Sequence, residues 1–208
     1  MTVQPQPSRR YQALVTQYAR MHLEGDRQHA VPPEKLFDGR ALTPHIETLR
    51  QLLARTQSSS LLDYGCGKAA AYDATRAEHP DGSVTQGLQA LWGLRRVAFY
   101  DPAVRAHAAL PQGQFDAVVA TAVLEYVPEE DVEWVLAEIV GYATRLVFVT
   151  LACHPSAWTL PSGENYHVTQ KSPGWWTDRL LAARPLDGGP RLFAFLYTSE
   201  RRRVLLEI

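Results

Sequence analysis

Cysteine is scarce: only Cys66 and Cys153 occur in 208 residues, which excludes a disulfide-built scaffold. Long apolar runs are missing too. The longest, "LVFVTLAC" at 146–153, falls far short of the roughly 20 residues of a membrane span. Neither charge dominates: 21 Lys and Arg stand against 22 Asp and Glu, a formal net charge of -1. No general field therefore draws the chain to nucleic acid. The start, "MTVQPQPSRRYQ", has no apolar leader segment. No Cys-x-x-Cys, His-x-x-x-His or paired-carboxylate cluster has ligand spacing, so no metal is expected. These absences lead to an expectation of a cytoplasmic protein with reduced thiols, contacting neither membrane nor nucleic acid, as a monomer or homodimer.

A hydrophobic fraction of 46% against 21% charged residues is enough for a full core. Residues 1–10 read as a disordered lead-in, 11–56 as an N-terminal helical cover, and 57–208 as an α/β core, the whole of 11–208 forming one domain. The cover holds a helix over 11–22, with apolar or aromatic residues at 11, 14, 15, 18 and 21, and a second helix opened by Thr43-Pro44. "SSSLLDYG", "RRVAFYDPAV", "FDAVVATAVL" and "TRLVFVTLA" read as strands, and "PEEDVEWVLAEIVGYA" and "PGWWTDRLLAA" as helices. "KAAAYDATRAEH" reads as a helix up to His79-Pro80, and 80–94 as an irregular insertion. "RLFAFLY" and "RRVLLEI" close the chain as a hairpin, with Arg201 to Arg203 on a solvated face. Strands alternating with helices predict a Rossmann-like, doubly wound, mostly parallel sheet with helices on both faces and an antiparallel C-terminal hairpin.

In such sheets ligands bind beyond the carboxyl ends of the strands. Asp63, Asp101, the stretch from Ala122 to Glu125, and Cys153-His154 all fall there. "LLDYGCGKAAAY" at 61–72 has the glycines of a nucleotide-binding turn, but not the third glycine of G-x-G-x-x-G. It also places Asp63 where a pyrophosphate would approach, and two anions 4 Å apart repel by about 4 kcal/mol at intermediate dielectric. The turn suits a ligand with a cationic end, such as S-adenosylmethionine, with Asp63 accepting from its ammonium directly or through water. Otherwise Asp63 is a plain helix cap. Asp101 ends the next strand, where ribose hydroxyls are held, or else merely starts a turn before Pro102. It follows the glycines by about 35 residues against roughly 20 in the dinucleotide fingerprint, the excess being assigned to 80–94.

"LLDYGCGK", "VAFYDPAV" and "QFDAVVATAVLEYVPEEDVEWVLAEI" together resemble the class I S-adenosylmethionine-dependent methyltransferases. With "MHLEG", "FDG" and "LPSGENYHVTQKSPGWW" the chain is similar to small bacterial and phage members over most of 11–183. The resemblance implies S-adenosyl-L-methionine as cofactor, held near Asp63, Gly65, Gly67, Asp101 and Glu125. Neighbouring Tyr64, Cys66, Lys68, Tyr100, Pro102, Thr121 and Ala122 would share that role. It implies methyl transfer and leaves the acceptor undefined; near-neutral charge and the absence of an added RNA module favour a small molecule or glycan over RNA.

Methyl transfer needs positioning and dryness first, and a base only for an acceptor of high pKa. His167, within a lid-like "ENYHVTQ", and His154 are the base candidates. Asn165, Trp175 and Trp176 of the lid segment, and Tyr18, His22 and Phe37 of the cover, are the candidates for shaping the acceptor pocket; otherwise the two tryptophans anchor their helix against the sheet and the cover is a helix packed on it. Where the family pattern leads one to expect D-V-L-E-H, this chain reads Ala122 to Tyr126 as A-V-L-E-Y. That departure motivates an alternative, a degenerate fold that binds cofactor or partner without turnover. A nicotinamide-dependent oxidoreductase is a third reading, disfavoured by Asp63 and the missing glycine.

Overall fold

The computed structural model describes residues 6–78, 81–185, 188–199 and 203–208. In chain order the elements are α1 (Arg9–Glu24), α2 (Ile46–Arg55), β1 (Ser60–Tyr64), α3 (Ala70–Ala74), β2 (Arg76–Glu78), β3 (Val84–Gln86) and α4 (Leu88–Leu91). There follow β4 (Arg96–Tyr100), β5 (Phe115–Thr121), α5 (Val132–Tyr142), β6 (Ala143–Ala152), α6 (Pro173–Ala183), β7 (Arg191–Tyr197) and β8 (Arg203–Glu207). Six strands form one sheet in the order β4-β1-β5-β6-β7-β8. Every neighbouring pair is parallel except the closing β7–β8 hairpin.

The strands are apolar on both sides because helices cover both faces. Leu62, Val118, Ala120, Val147 and Val149 point to the face packed by Leu136 and Ile139 of α5 and Trp176 and Leu180 of α6. Their alternates Leu61, Ala117, Val119, Leu146 and Phe148 meet Leu49, Leu52 and Leu53 of α2, Tyr72 of α3 and Trp92 after α4. β1 lies between β4 and β5, so the chain winds outward to one side of β1 and then returns to the other. That reversal opens a crevice at the carboxyl ends of β1, β4 and β5.

Two expectations are corrected. The helix predicted up to His79-Pro80 stops at Ala74, and Arg76 to Glu78 pairs instead with Val84 to Gln86. Thr75 takes an extended conformation with its hydroxyl bonded to the Ala71 carbonyl, 2.7 Å, which ends the helix. Strand pairing across the Asp81-Gly82-Ser83 turn, where Asp81 accepts from the Ser83 amide at 2.9 Å, then overrides the helical propensity of the alanines. The supposed irregular insertion thus holds a strand and the short helix α4. The expected lead-in at 1–10 also gives way to a helix at its end. Helix α1 begins at Arg9, and Ser8 caps it by accepting from the Tyr11 amide at 3.0 Å. The Ser8 amide and hydroxyl in turn donate to Asp131, at 2.9 and 2.5 Å. Residues 1–5, His79, Pro80, Leu186, Asp187, Glu200, Arg201 and Arg202 lie outside the described residues. No helix among the described residues is long and apolar enough to cross a membrane.

Candidate ligand cavity

A cavity of about 300 Å³ fills the crevice, within the range of small-molecule sites. The sheet contributes Tyr64, Gly65, Gly67, Asp101, Pro102, Thr121 and Ala122 to its wall. Helix α1 closes it with Tyr11, Leu14, Val15, Tyr18 and His22, the i, i+3, i+4, i+7, i+11 stripe of one helix face. The loop from Phe37 to Ala41 makes a third side. Val123, Tyr126, Val127 and Val135, at the end of β5 and on α5, complete it.

The glycine turn departs from a phosphate cradle in a way the sequence did not reveal. Its successive amides are all committed within the chain. Gly65 and Cys66 donate to the Tyr100 carbonyl (2.7 and 3.1 Å), Lys68 to that of Phe37 (3.1 Å), Ala69 to that of Cys66 (2.9 Å) and Ala70 to that of Asp38 (2.8 Å). The Gly67 amide donates to Asp101 Oδ2 at 2.9 Å. Each glycine makes room for another part of the chain, Gly67 for backbone and Gly65 for a side chain. Both have positive φ, and a Cβ on Gly67 would overlap the Phe37 carbonyl, while one on Gly65 would overlap the Val123 side chain. Asp101 ties the turn to its own strand end, its second oxygen accepting from the Ala103 amide at 2.9 Å, yet it still faces the cavity. Burial raises its pKa, against the pull of those two amides.

Asp63 sits elsewhere than expected. Strand alternation sends its side chain to the α3 side, below the turn, where it is 2% exposed and does not line the cavity. Oδ1 has no hydrogen-bond partner, and the Tyr72 hydroxyl approaches the carboxylate without forming a well-shaped bond. Burial pushes the group up to about 7, with Tyr72 pulling it down and Asp101 adding a smaller push. Glu125 is its counterpart behind β5. One oxygen accepts from the Ala152 amide at 3.1 Å, the other has no partner, and burial raises the pKa to about 7. Neither acid lines the cavity, nor do Cys66, Lys68 and Tyr100. Cys66 is buried in the α2–α4 core, and burial holds its thiol well above the usual range. Lys68 turns to an outer cleft, donating to the Leu36 carbonyl and His22 Nδ1, both at 2.9 Å.

The expected bases are not at the cavity either. His167 is buried behind Tyr126, edge to face at 5.6 Å, with its Nδ1 on the His154 carbonyl at 2.6 Å. His154 packs on His167, and Asn165 ties the His167 amide and the Ser156 backbone. All three brace the segment after β6. Trp176 is fully buried in the α5–α6 core, and Trp175 packs at its edge under Arg179 and Lys171. They anchor α6 to the sheet and form no pocket wall. Of the cover residues, Tyr18, His22 and Phe37 do line the cavity. Burial and the Lys68 charge lower His22 to about 4, so its ring is neutral, with Nδ1 accepting from Lys68 and Nε2 carrying the hydrogen. Tyr11 and Tyr126 complete the aromatic wall; the 3.6-residue period through Tyr11 signals the first, and no local pattern signals the second.

Ala122 lines the cavity in a left-handed conformation, φ 54, at the end of β5. Unusual backbone of this kind concentrates at functional sites. Fold and cavity together define a Rossmann-like α/β chain with an aromatic-lined cavity at its switch point. No protein-family model matches the chain, and no curated protein matches it.

Proposed function

We propose that the chain is a class I S-adenosylmethionine-dependent methyltransferase acting on a small-molecule or glycan acceptor. The single observation behind this reading is the committed set of amides from Gly65 to Ala70. A dinucleotide requires free backbone donors for its pyrophosphate, and this turn holds none in reserve. What the cavity does offer is Asp101, the Asp38–Arg40 ion pair, and the rings of Tyr11, Tyr18, Phe37, Tyr64 and Tyr126. That lining fits a ligand that is cationic, carries a nucleoside and lacks phosphate. Asp101 would hold hydroxyls of the nucleoside, and the aromatic wall would surround the cationic end. When bound, the cofactor supplies the electrophilic methyl group.

The chain's own part is to position the acceptor and exclude water. His22 has its lone pair engaged by Lys68, and His167 and His154 lie behind Tyr126, so no imidazole at this cavity stands ready to take a proton. The site therefore suits an acceptor whose nucleophile is already unprotonated near neutral pH. Ala122, in place of the strand-end acid of the family pattern, supports a second reading: a fold that binds the cofactor without turnover.

Calorimetry with S-adenosylmethionine and with NAD tests the first reading. The methyl donor is expected to bind and NAD to fail, and the opposite result would overturn the proposal. Asp101→Ala, checked by melting to be folded, is expected to weaken donor binding by about 1.5–3 kcal/mol, the worth of a hydrogen bond to a charged group. Release of S-adenosylhomocysteine over acceptor pools separates the enzyme from the binding-only fold.

A further inference from the structure

Between α1 and the turn that follows β4 lies a second cleft, of about 420 Å³. His22, Pro102 and Ala103 line both spaces, so it is a neighbour of the inner cavity. Most of its surface is apolar: Ala19 and Leu23 of α1, and Pro102, Ala103 and Val104 of the turn. Leu23 is 81% exposed, a large apolar side chain left to water at the cleft. Two cations, Lys68 and Arg105, stand beside this surface, and among the described residues no carboxylate lines the cleft.

Both cations have donors to spare. Lys68 gives one hydrogen to the Leu36 carbonyl and one to His22 Nδ1, each at 2.9 Å, and an ammonium has three. Two contacts thus hold the group in place with its third donor free. Arg105 is exposed, and among the described residues its guanidinium has neither a hydrogen bond nor an ion pair. Asp38, Asp101 and Glu34 act on Lys68 from further away. None of them lines the cleft, and two are already engaged: Asp38 with Arg40 at 3.2 Å, and Asp101 with the Gly67 and Ala103 amides, both at 2.9 Å. Two unpaired cations beside an apolar surface suit an anion carried on an apolar body. Charge selects the anion. A phosphate monoester brings about −1.5 to −2 at pH 7 and three acceptor oxygens, enough for both cations, whereas a carboxylate brings a single charge.

We propose that the cleft between α1 and the turn after β4 is a binding site for a small phosphate monoester, with Lys68 and Arg105 on the phosphate and Leu23 and Val104 against its apolar part. The site is separate from the inner cavity and stands whether or not that cavity takes a methyl donor.

Calorimetry of the full chain at low salt with phenyl phosphate, benzoate and phenol provides the test. Phenyl phosphate is expected to bind, benzoate about tenfold more weakly, and phenol not measurably. Arg105→Gln is expected to weaken phenyl phosphate about tenfold, the loss of one charge-assisted contact, and Lys68→Met to do the same. Arg40→Gln, which alters the inner cavity, is expected to leave that affinity unchanged. No binding of phenyl phosphate, an equal response to benzoate or phenol, or a loss confined to Arg40→Gln would overturn the site. An unchanged affinity in Arg105→Gln would do so too. Because that side chain is exposed, its variant decides even where Lys68→Met fails to fold.

Discussion

Asp63 and Glu125 are the residues whose chemistry is most altered by the fold. Each is a carboxyl group with an unpartnered oxygen in a dry interior, raised to about 7 from ordinary values of 3.8 and 4.5. The direction of the pH effect follows from proton counting. Between about pH 4 and pH 7 the native state keeps protons that the unfolded chain has released. The native state binds more protons over that window, so stability falls as pH rises through it. Thermal melts of the unaltered chain are therefore expected to give a lower Tm at pH 8 than at pH 5. Asp63→Asn removes the buried charge while keeping the shape. It is expected to raise Tm at pH 8 by a few degrees and to change little at pH 5; no gain at pH 8 would contradict a buried, strained carboxylate.

At the scale of elements, α1 is one wall of the cavity. Its inner stripe lines the site, its C-terminal end is closed by Gly25, whose amide bonds to the Met21 carbonyl at 2.8 Å, and its N-terminal end is held by Ser8 together with Arg10, which pairs with Glu164, and Tyr11, whose ring meets Trp134 edge to face. Ser8 caps the helix and also donates twice to Asp131, which accepts from Trp134 Nε1 at 2.8 Å as well. Loss of an N-cap costs about 1 kcal/mol, and here the tie to α5 is lost with it. Ser8→Ala is expected to destabilise the chain by about 1–2 kcal/mol. Faster amide hydrogen exchange confined to the first turns of α1 is the measurement that checks it. Exchange spread evenly over the chain would show that α1 is not an independent cover.

At the scale of the molecule, the sheet is sealed on both faces, and its cavity lies where the winding reverses at β1. Trp176 joins α6 to the α5 face with no exposed surface, its indole nitrogen lacking a partner. Trp176→Ala is expected to cost about 3–5 kcal/mol by opening a cavity in that layer. Urea denaturation is the check, with a lower midpoint and an unchanged slope, since the surface exposed on unfolding stays nearly the same. The sequence leaves Trp175 and Trp176 as helix anchors or as an aromatic wall; the structure makes them anchors, and the rings at the cavity come instead from α1, the Phe37 loop and the turn after β5. The reason is physical: α6 needs its large rings to bury against the sheet, whereas Tyr18, Phe37 and Tyr126 meet across a gap between three elements.

What the amino-acid sequence determined by itself was whatever depends on neighbours along the chain. Short continuous apolar runs set the strands, the 3.6-residue stripe through Tyr11 and Tyr18 set α1, and the strand-end positions of Gly65, Asp101 and Ala122 set the place of the crevice. Tertiary structure alone decided which side of β1 Asp63 faces, that the turn's amides are taken by Tyr100, Phe37, Asp38 and Asp101, and that His167 stands behind Tyr126. Each of these depends on which distant backbone or ring arrives beside the residue, and spacing along the chain does not encode that arrival.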